Sequence, residues 1–278
     1  MELTFEEKSL VSRAEDLLER AGERHTLCAT GFLSPAEQAL LERTLPRGGD
    51  VSRTFWGGYD NAERAMFVCY PGYMEFDFAR MGIAGSAYPN DGHHSDRREL
   101  YKNAPIVGIK IAGRDISRLT HRDFLGSVLA LGIKRSVIGD ILVGNGERGE
   151  CLMFVDREIA RYICENLTKI GNAGVAATLS NVDAAELATR ATEEINGTVA
   201  SVRIDAVLGI ALKLSRAKAA DLIASEAVAL NWITVMQTHR VVAEGDIFSV
   251  KGAGRFRLKI IGNQSKKGRY HITIEKYL

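Results

Sequence analysis

Apolar residues follow two different periods along this chain, and the switches between them mark its elements. Leu10, Val11, Ala14, Leu17, Leu18 and Ala21 recur at helical spacing behind Thr4-Phe-Glu-Glu7. Those four residues form a capping box, in which threonine and glutamate each satisfy the other's backbone N–H. The stripe predicts an amphipathic helix stopping at Gly22. Ser34-Pro35-Ala36-Glu37 opens a second helix with proline in its first turn, where a missing N–H does no harm, and Leu45-Pro46 closes it. The first 45 residues therefore read as helical, giving an N-terminal helical region over 1–50.

Beyond it the pattern weakens and then sharpens. Residues 64–70 predict a strand ended by Pro71-Gly72, while the Gly-, Asp-, His- and Ser-rich stretch 85–103 reads as a loop or mobile crossover. Residues 106–111 predict a strand. Thr120-His-Arg-Asp123 caps a helix carrying Phe124, Leu125, Val128, Leu129 and Leu131 as far as Gly132. Residues 137–143 and 151–155 predict strands joined by the turn-rich 144–149. Asp156 caps a helix bearing Ile159, Ala160, Ile163 and Leu167, and 175–179 predict a last strand. This βαββαβ order predicts an RRM-like, ferredoxin-like middle domain over 51–180. The polar stretch 181–197 predicts a linker helix, leaving a small domain at 198–278. The fold class is α+β.

Charge changes the picture. The chain carries a formal net charge of +1, with 36 Lys+Arg against 35 Asp+Glu. Residues 201–278 hold 13 of those cations and 6 of the acids, a net of +7, so the first 200 residues are net −6. Such asymmetry points to an anionic partner for the basic end. No basic, apolar leader opens the sequence, and no apolar run approaches the roughly 20 residues that span a bilayer. Cys28, Cys69, Cys151 and Cys164 are widely spaced, which suits reduced thiols better than a disulfide frame or a zinc site. His93-His94 has no neighbour at metal spacing. No metal and no cofactor are expected.

The candidate chemistry concentrates in residues 203–231, which read as two short helices followed by a strand. Ser215 is a natural N-cap, so Arg216 and Lys218 fall in the first turn of the second helix. The helix dipole favours acids there by about 0.3–1 kcal/mol each. Two cations become useful at that end when a phosphate shares it with the free N–H groups. Arg203 and Lys213 flank the first helix. Lys251, Arg255, Arg257, Lys259, Lys266, Lys267 and Arg269 follow on or between strands, among Gly252, Gly254, Gly262 and Gly268. Trp232 either stacks on a base or closes a small core; Asn231 either contacts the ligand or caps a turn. Asp205 reads as orienting Arg203 or a helix start. In the middle domain Arg122 and Arg135 are the basic candidates, with Arg114, Arg118, His121 and Lys134 around them. Its two central strands hold only Phe154 as an aromatic, too few for the base-stacking sheet of an RNA-recognition domain.

Arg203, Asp205, Leu208, Ser215-Arg216, Lys218, Ile223, Val228, Asn231 and Gly245-Asp246 resemble the S-four RNA-binding domain. One departure stands out: the family carries glycine in the turn after the second helix, where this chain has Ala224-Ser225-Glu226-Ala227. His121-Arg-Asp-Phe-Leu-Gly126, Leu131-Gly-Ile-Lys-Arg135, Ile138-Gly-Asp-Ile141, Val199-Ala-Ser-Val-Arg203, Asn231-Trp232 and Lys251-Gly-Ala-Gly-Arg255 narrow this to a resemblance to the YlmH-like family. That resemblance implies a cytoplasmic, monomeric, non-enzymatic RNA-binding factor. Its partners would be the ribosome and large-subunit rRNA, with tRNA as a further candidate, in ribosome-associated quality control of stalled translation. A link to cell division also goes with the family.

Two other readings compete. S-four domains are often appended to RNA-modifying or RNA-charging enzymes. Here the His-x-Gly-His and Lys-Met-Ser-Lys-Ser signatures of a tyrosyl-tRNA synthetase are missing, and Gly144-Asn-Gly146 sits in an expected hairpin rather than a cofactor turn. An adaptor for the division machinery would instead use the acidic helices of residues 1–45.

Overall fold

The computed structural model describes residues 3–46, 48–59, 62–73, 104–114, 116–144, 150–180 and 192–277. The expected loop over 85–103, with His93-His94, lies outside the described residues, as do most of the 144–149 turn and the first part of the expected linker. The chain divides into two compact units, Met1–Thr189 and Arg190–Leu278.

The first unit opens with α1 (Phe5–Arg24), β1 (Cys28–Leu33), α2 (Pro35–Thr44), β2 (Val51–Trp56) and β3 (Ala65–Pro71). Both capping boxes form: Thr4 Oγ1 accepts from the Glu7 N–H at 3.2 Å while Glu7 accepts from the Thr4 N–H at 2.8 Å, and Ser34 pairs with Glu37 in the same way. Helix α1 buries Leu10, Ala14, Leu17 and Ala21 against Cys28, Leu33, Phe67 and Cys69. Two expectations need correcting here. Residues 1–45 are not purely helical, because 28–33 form a strand, and a region boundary at 50 would cut the sheet β1-β3-β2 in two. The physical reason is length: a six-residue apolar run is too short to hold a helix alone, and long-range pairing with β3 decides its state.

The second part of this unit follows the expected element order: β4 (Ile106–Gly113), α3 (His121–Leu129), β5 (Ile138–Val143), β6 (Glu150–Asp156), α4 (Arg157–Asn166), a two-residue β7 (Lys169–Ile170) and β8 (Ala173–Ser180). The sheet runs β5-β6-β4-β8-β7, with β4 antiparallel to both β6 and β8. Alternation along the central strands sends Val107, Ile109, Ile111, Cys151, Met153 and Val155 into one core with Phe124, Val128, Ala160 and Ile163 of the helices. The opposite face sends Ile106, Leu142, Leu152 and Phe154 into a second core with Phe32, Trp56, Met66 and Val68 of the N-terminal sheet. Phe154 is buried and stacks on Tyr59 with ring centroids 4.9 Å apart.

Where these two sheets meet, a buried carboxylate ties their loops together. Asp140 accepts from the Tyr59 hydroxyl and the Glu63 N–H, each at 2.7 Å, and from the Arg64 N–H at 3.1 Å. Arg64 donates to the carbonyls of Ile138 at 3.1 Å and Phe32 at 2.8 Å. Arg135 donates to the carbonyls of Ile138 and, at 3.3 Å, Gly139. Gly139 lies so close to Phe32 that a Cβ would meet the ring at 2.5 Å.

The second unit contains β9 (Thr192–Val199), α5 (Ile204–Ala211), α6 (Arg216–Ala224), β10 (Val228–Leu230), β11 (Ile233–Thr234), β12 (Ile247–Val250), β13 (Gly254–Gln264) and β14 (Tyr270–Tyr277). These strands form one antiparallel sheet, β11-β10-β12-β13-β14-β9. The linker helix expected over 181–197 is corrected at its described end: β9 pairs with β14 from Thr192↔Tyr277 to Val199↔Tyr270. Its run of acids suits this edge position, where Glu194 meets Lys259 of β13 at 2.7 Å. Helices α5 and α6 bury Ile204, Val207, Leu208, Ala219 and Ile223 against Phe248, Phe256, Leu258, Ile272 and Ile274 of the sheet.

Replacing Asp140 by alanine would strand three donors and remove a negative charge that acts on two part-buried guanidiniums. The expected loss is about 3–5 kcal/mol of unfolding free energy, read by urea denaturation. A loss below roughly 1 kcal/mol would show that the loops hold without this carboxylate.

Candidate nucleic-acid interface

Helix α6 starts as its sequence requires. Ser215 is extended, and its Oγ accepts from the Lys218 N–H at 3.4 Å. No acid occupies the first turn, so Arg216 and Lys218 stand exposed at the positive end of the helix. Arg203 is the residue before α5, fixed in an antiparallel bridge to Val241. Between the two arginines lies Asp205, in the first turn of α5, with its side chain only 7% exposed. One carboxylate oxygen, Oδ2, takes Arg216 Nη2 at 2.8 Å and Arg203 Nη2 at 3.3 Å. The expectation that Asp205 orients Arg203 is met, and the same oxygen also holds Arg216, eleven positions on.

Both helices end the same way. The N–H of Lys213 bonds to the Ile210 carbonyl at 3.3 Å and that of Leu214 to the Gly209 carbonyl at 3.0 Å. At the second helix, the N–H of Glu226 bonds to the Ile223 carbonyl at 3.0 Å and that of Ala227 to the Leu222 carbonyl at 3.1 Å. These are Schellman motifs, whose C′ residue must be left-handed. Lys213 and Glu226 fill that position with φ of 54° and 57°. The residue that departs from the S-four pattern is thus the helix stop itself. Lys213 is exposed at the negative end of α5, where a cation is favoured.

Asn231 and Trp232 form the two-residue turn between β10 and β11, with φ of 46° and 62°. Two left-handed central residues are the pattern of a type I′ hairpin turn, for which asparagine is a preferred first member. Asn231 Nδ2 donates to Asp246 Oδ1 at 2.8 Å, and its Oδ1 accepts from the Ile247 N–H at 3.0 Å. Both polar ends of Asn231 are therefore engaged with the start of β12. Trp232, partly buried, projects from the other left-handed position and is not among the side chains packed in the core. A bulky residue at positive φ is strained, and such strain gathers at functional positions.

The other candidates do not join this group. Arg255, Arg257 and Lys259 alternate with buried Phe256 and Leu258, so they line the sheet face turned away from α5 and α6. Lys259 is clamped between Glu194 and Glu275 at 2.7 and 2.8 Å, which pushes its pKa up to about 12. Lys251 is exposed in the β12–β13 turn. Lys266 and Lys267 are exposed at the tip of the β13–β14 hairpin, where Gly268 supplies the left-handed residue. Arg269 folds back, donating to the Thr198 carbonyl at 2.6 Å and to its hydroxyl at 3.2 Å. Arg122 is exposed in the first turn of α3. Arg135 is occupied with the Ile138 and Gly139 carbonyls; burial first, then neighbouring Arg64, pushes its pKa down to about 10, against the pull of Asp140. Sequence reasoning missed Asp140 as an anchor, although an acid within the apolar run 138–143 was the available signal. Among the described residues no cluster of His, Cys, Asp and Glu could hold a metal ion.

Residues 106–185 match a family model described as "Putative RNA-binding domain in YlmH", and residues 6–74 match one described as "YlmH, N-terminal". The chain belongs to the YlmH-like family. It is 29% identical over 276 residues to "Ribosome-associated protein quality control protein P2" of Bacillus subtilis (strain 168), an alignment covering 98% of this chain and 95% of that protein. It is also similar to the solved structure "Cell division protein ylmH from Streptococcus pneumoniae". That likeness has a TM-score of 0.46 at 19% identity, over 67% of this chain and 96% of the other. No helix among the described residues is long and apolar enough to cross a membrane.

In this YlmH-like chain the left-handed Glu226 gives a direct check of the cap geometry. Glu226→Gly is expected to raise stability by about 0.5–1 kcal/mol, because a Cβ at that φ is strained. Chemical denaturation reads the change, and a destabilised variant would contradict the cap.

Proposed function

We propose that this chain is an RNA-binding factor that works on the ribosome without catalysing a reaction. Its C-terminal unit is read as an S-four-type module, and its middle sheet, ordered β5-β6-β4-β8, as RRM-like. The observation that carries the reading is the start of α6. Arg203 and Arg216 share one oxygen of a buried carboxylate, and Arg216 lies with exposed Lys218 in the first turn of a capped helix, a setting that suits an RNA phosphate. The net charge of +7 over residues 201–278 makes a polyanion the fitting partner.

The covered face of the middle sheet leaves that domain, which matches a model described as a putative RNA-binding domain, to meet RNA by its helices and loops, where Arg122 is exposed. An RNA-recognition sheet stacks bases on the face opposite its helices. Here that face is filled by Phe32, Trp56, Met66 and Val68. Ribosomal RNA of the large subunit, with tRNA beside it, is the partner that best fits the relative named for ribosome-associated protein quality control. We read the chain as a cytoplasmic monomer that acts in rescue of stalled translation.

Changing Arg216 and Lys218 together to alanine is expected to weaken RNA binding and to lower the slope of log affinity against log salt by about one to two units. Binding is followed by fluorescence anisotropy at several salt concentrations, and an unchanged slope would remove the phosphate site. For Trp232→Ala, an affinity loss of about 1–3 kcal/mol with an unchanged melting temperature assigns the indole to base stacking. Lost folding with no RNA-specific effect would assign it to the core.

A further inference from the structure

A buried carboxylate in the first turn of α5 holds Arg203 and, from the first turn of α6, Arg216. Asp205 is buried in α5 beside the core residues Ile204, Val207 and Leu208, and burying a carboxylate is unfavourable. It does not use its full capacity as an acceptor. Oδ2 receives both arginines, while Oδ1 has no hydrogen-bond partner, and neither does Arg203 Nε. A group kept only to stabilise the core would be expected to satisfy both oxygens. The geometry serves the arginines instead. Each gives Asp205 a single Nη2 contact, and the guanidinium has five donors. The Arg216 side chain remains 64% exposed.

We propose that Asp205 is a positioning residue that presets Arg203 and Arg216 as a two-guanidinium clamp for one RNA backbone phosphate at the start of α6. This rests on the RNA-binding reading above. Two arginines side by side repel each other, and a free Arg216 would lose rotamer entropy on binding. Asp205 removes both penalties before RNA arrives. Its own charge opposes the incoming phosphate, so positioning and simple charge counting predict opposite signs for its removal.

Asp205→Asn keeps the size and raises the local charge by one. Charge counting predicts tighter binding and a steeper salt dependence. The clamp predicts binding weaker by about three- to tenfold, the effect of ordering one or two freed side chains, with the salt slope unchanged because the same phosphates are neutralised. The full chain is titrated with a generic RNA duplex over a range of salt, beside thermal melting of each variant. Weaker binding at constant slope supports the clamp; equal or tighter binding overturns it. Should the variant fail to fold, ¹⁵N relaxation of the Arg216 Nε–Hε group in the unaltered, RNA-free chain decides. A rigid guanidinium supports the clamp, and one as mobile as that of exposed Arg122 overturns it. An unaltered chain with no affinity for RNA would end the RNA reading and the clamp with it. That failure is told apart because it precedes any substitution.

Discussion

A single carboxylate oxygen carrying two arginines organises the C-terminal unit. Asp205 joins the entrance of α5 to the first turn of α6, so the two helices share one electrostatic anchor as well as an apolar core. The pairing of Arg203 with Arg216 depends on that anchor. Without it, Arg216 is one more flexible cation; with it, two guanidiniums are held on one carboxylate oxygen, one of them from the first turn of α6. The Schellman stops at Lys213 and Glu226 then fix where each helix ends and the next element begins. The Asn231–Asp246 bond fixes the turn that displays Trp232.

The first unit uses the same device for a different end. Asp140 also gathers arginine-bearing loops, but Arg64 and Arg135 there are directed at backbone carbonyls and partly buried. A buried acid that faces inward makes a joint, and one whose arginines reach solvent makes a grip. Around Asp140 the joint is completed by the apolar layer of Phe32, Trp56, Met66, Leu152 and Phe154, which covers the middle sheet. The two units thus differ in what they leave open: one closes its sheet, the other keeps cations exposed at a helix start.

Much of this was legible because local chemistry decided it. The caps at Thr4, Ser34, Asp156 and Ser215 lie where short-range patterns place them, and the strands around 106–111 and 151–155 stand out as short, mostly apolar runs buried on both faces. What stayed hidden depends on distant partners. The strand 28–33 exists because β3 pairs with it, and β9 exists because β14 does, so a polar, acid-rich stretch read as a helical linker. At the candidate site, Ser215, Arg216 and Lys218 were readable from capping rules. The second tie of Asp205, to Arg216, was not, because it joins two helices. Glu226 could not be explained from sequence because nothing local marks a glutamate as left-handed; only the paired hydrogen bonds at the helix end do. Arg135 and Arg269 looked like free cations until the carbonyls they serve were visible.

RNA is expected to meet this chain at the helix side of the C-terminal unit rather than on the middle sheet. Ultraviolet crosslinking of the intact chain to purified large ribosomal subunits, with mass spectrometry of the RNA-bearing peptides, tests it most directly. Adducts are expected on peptides spanning 201–232, around Arg203, Arg216 and Trp232. Adducts confined to the strands of residues 106–156, or to the helices of residues 5–44, would contradict it.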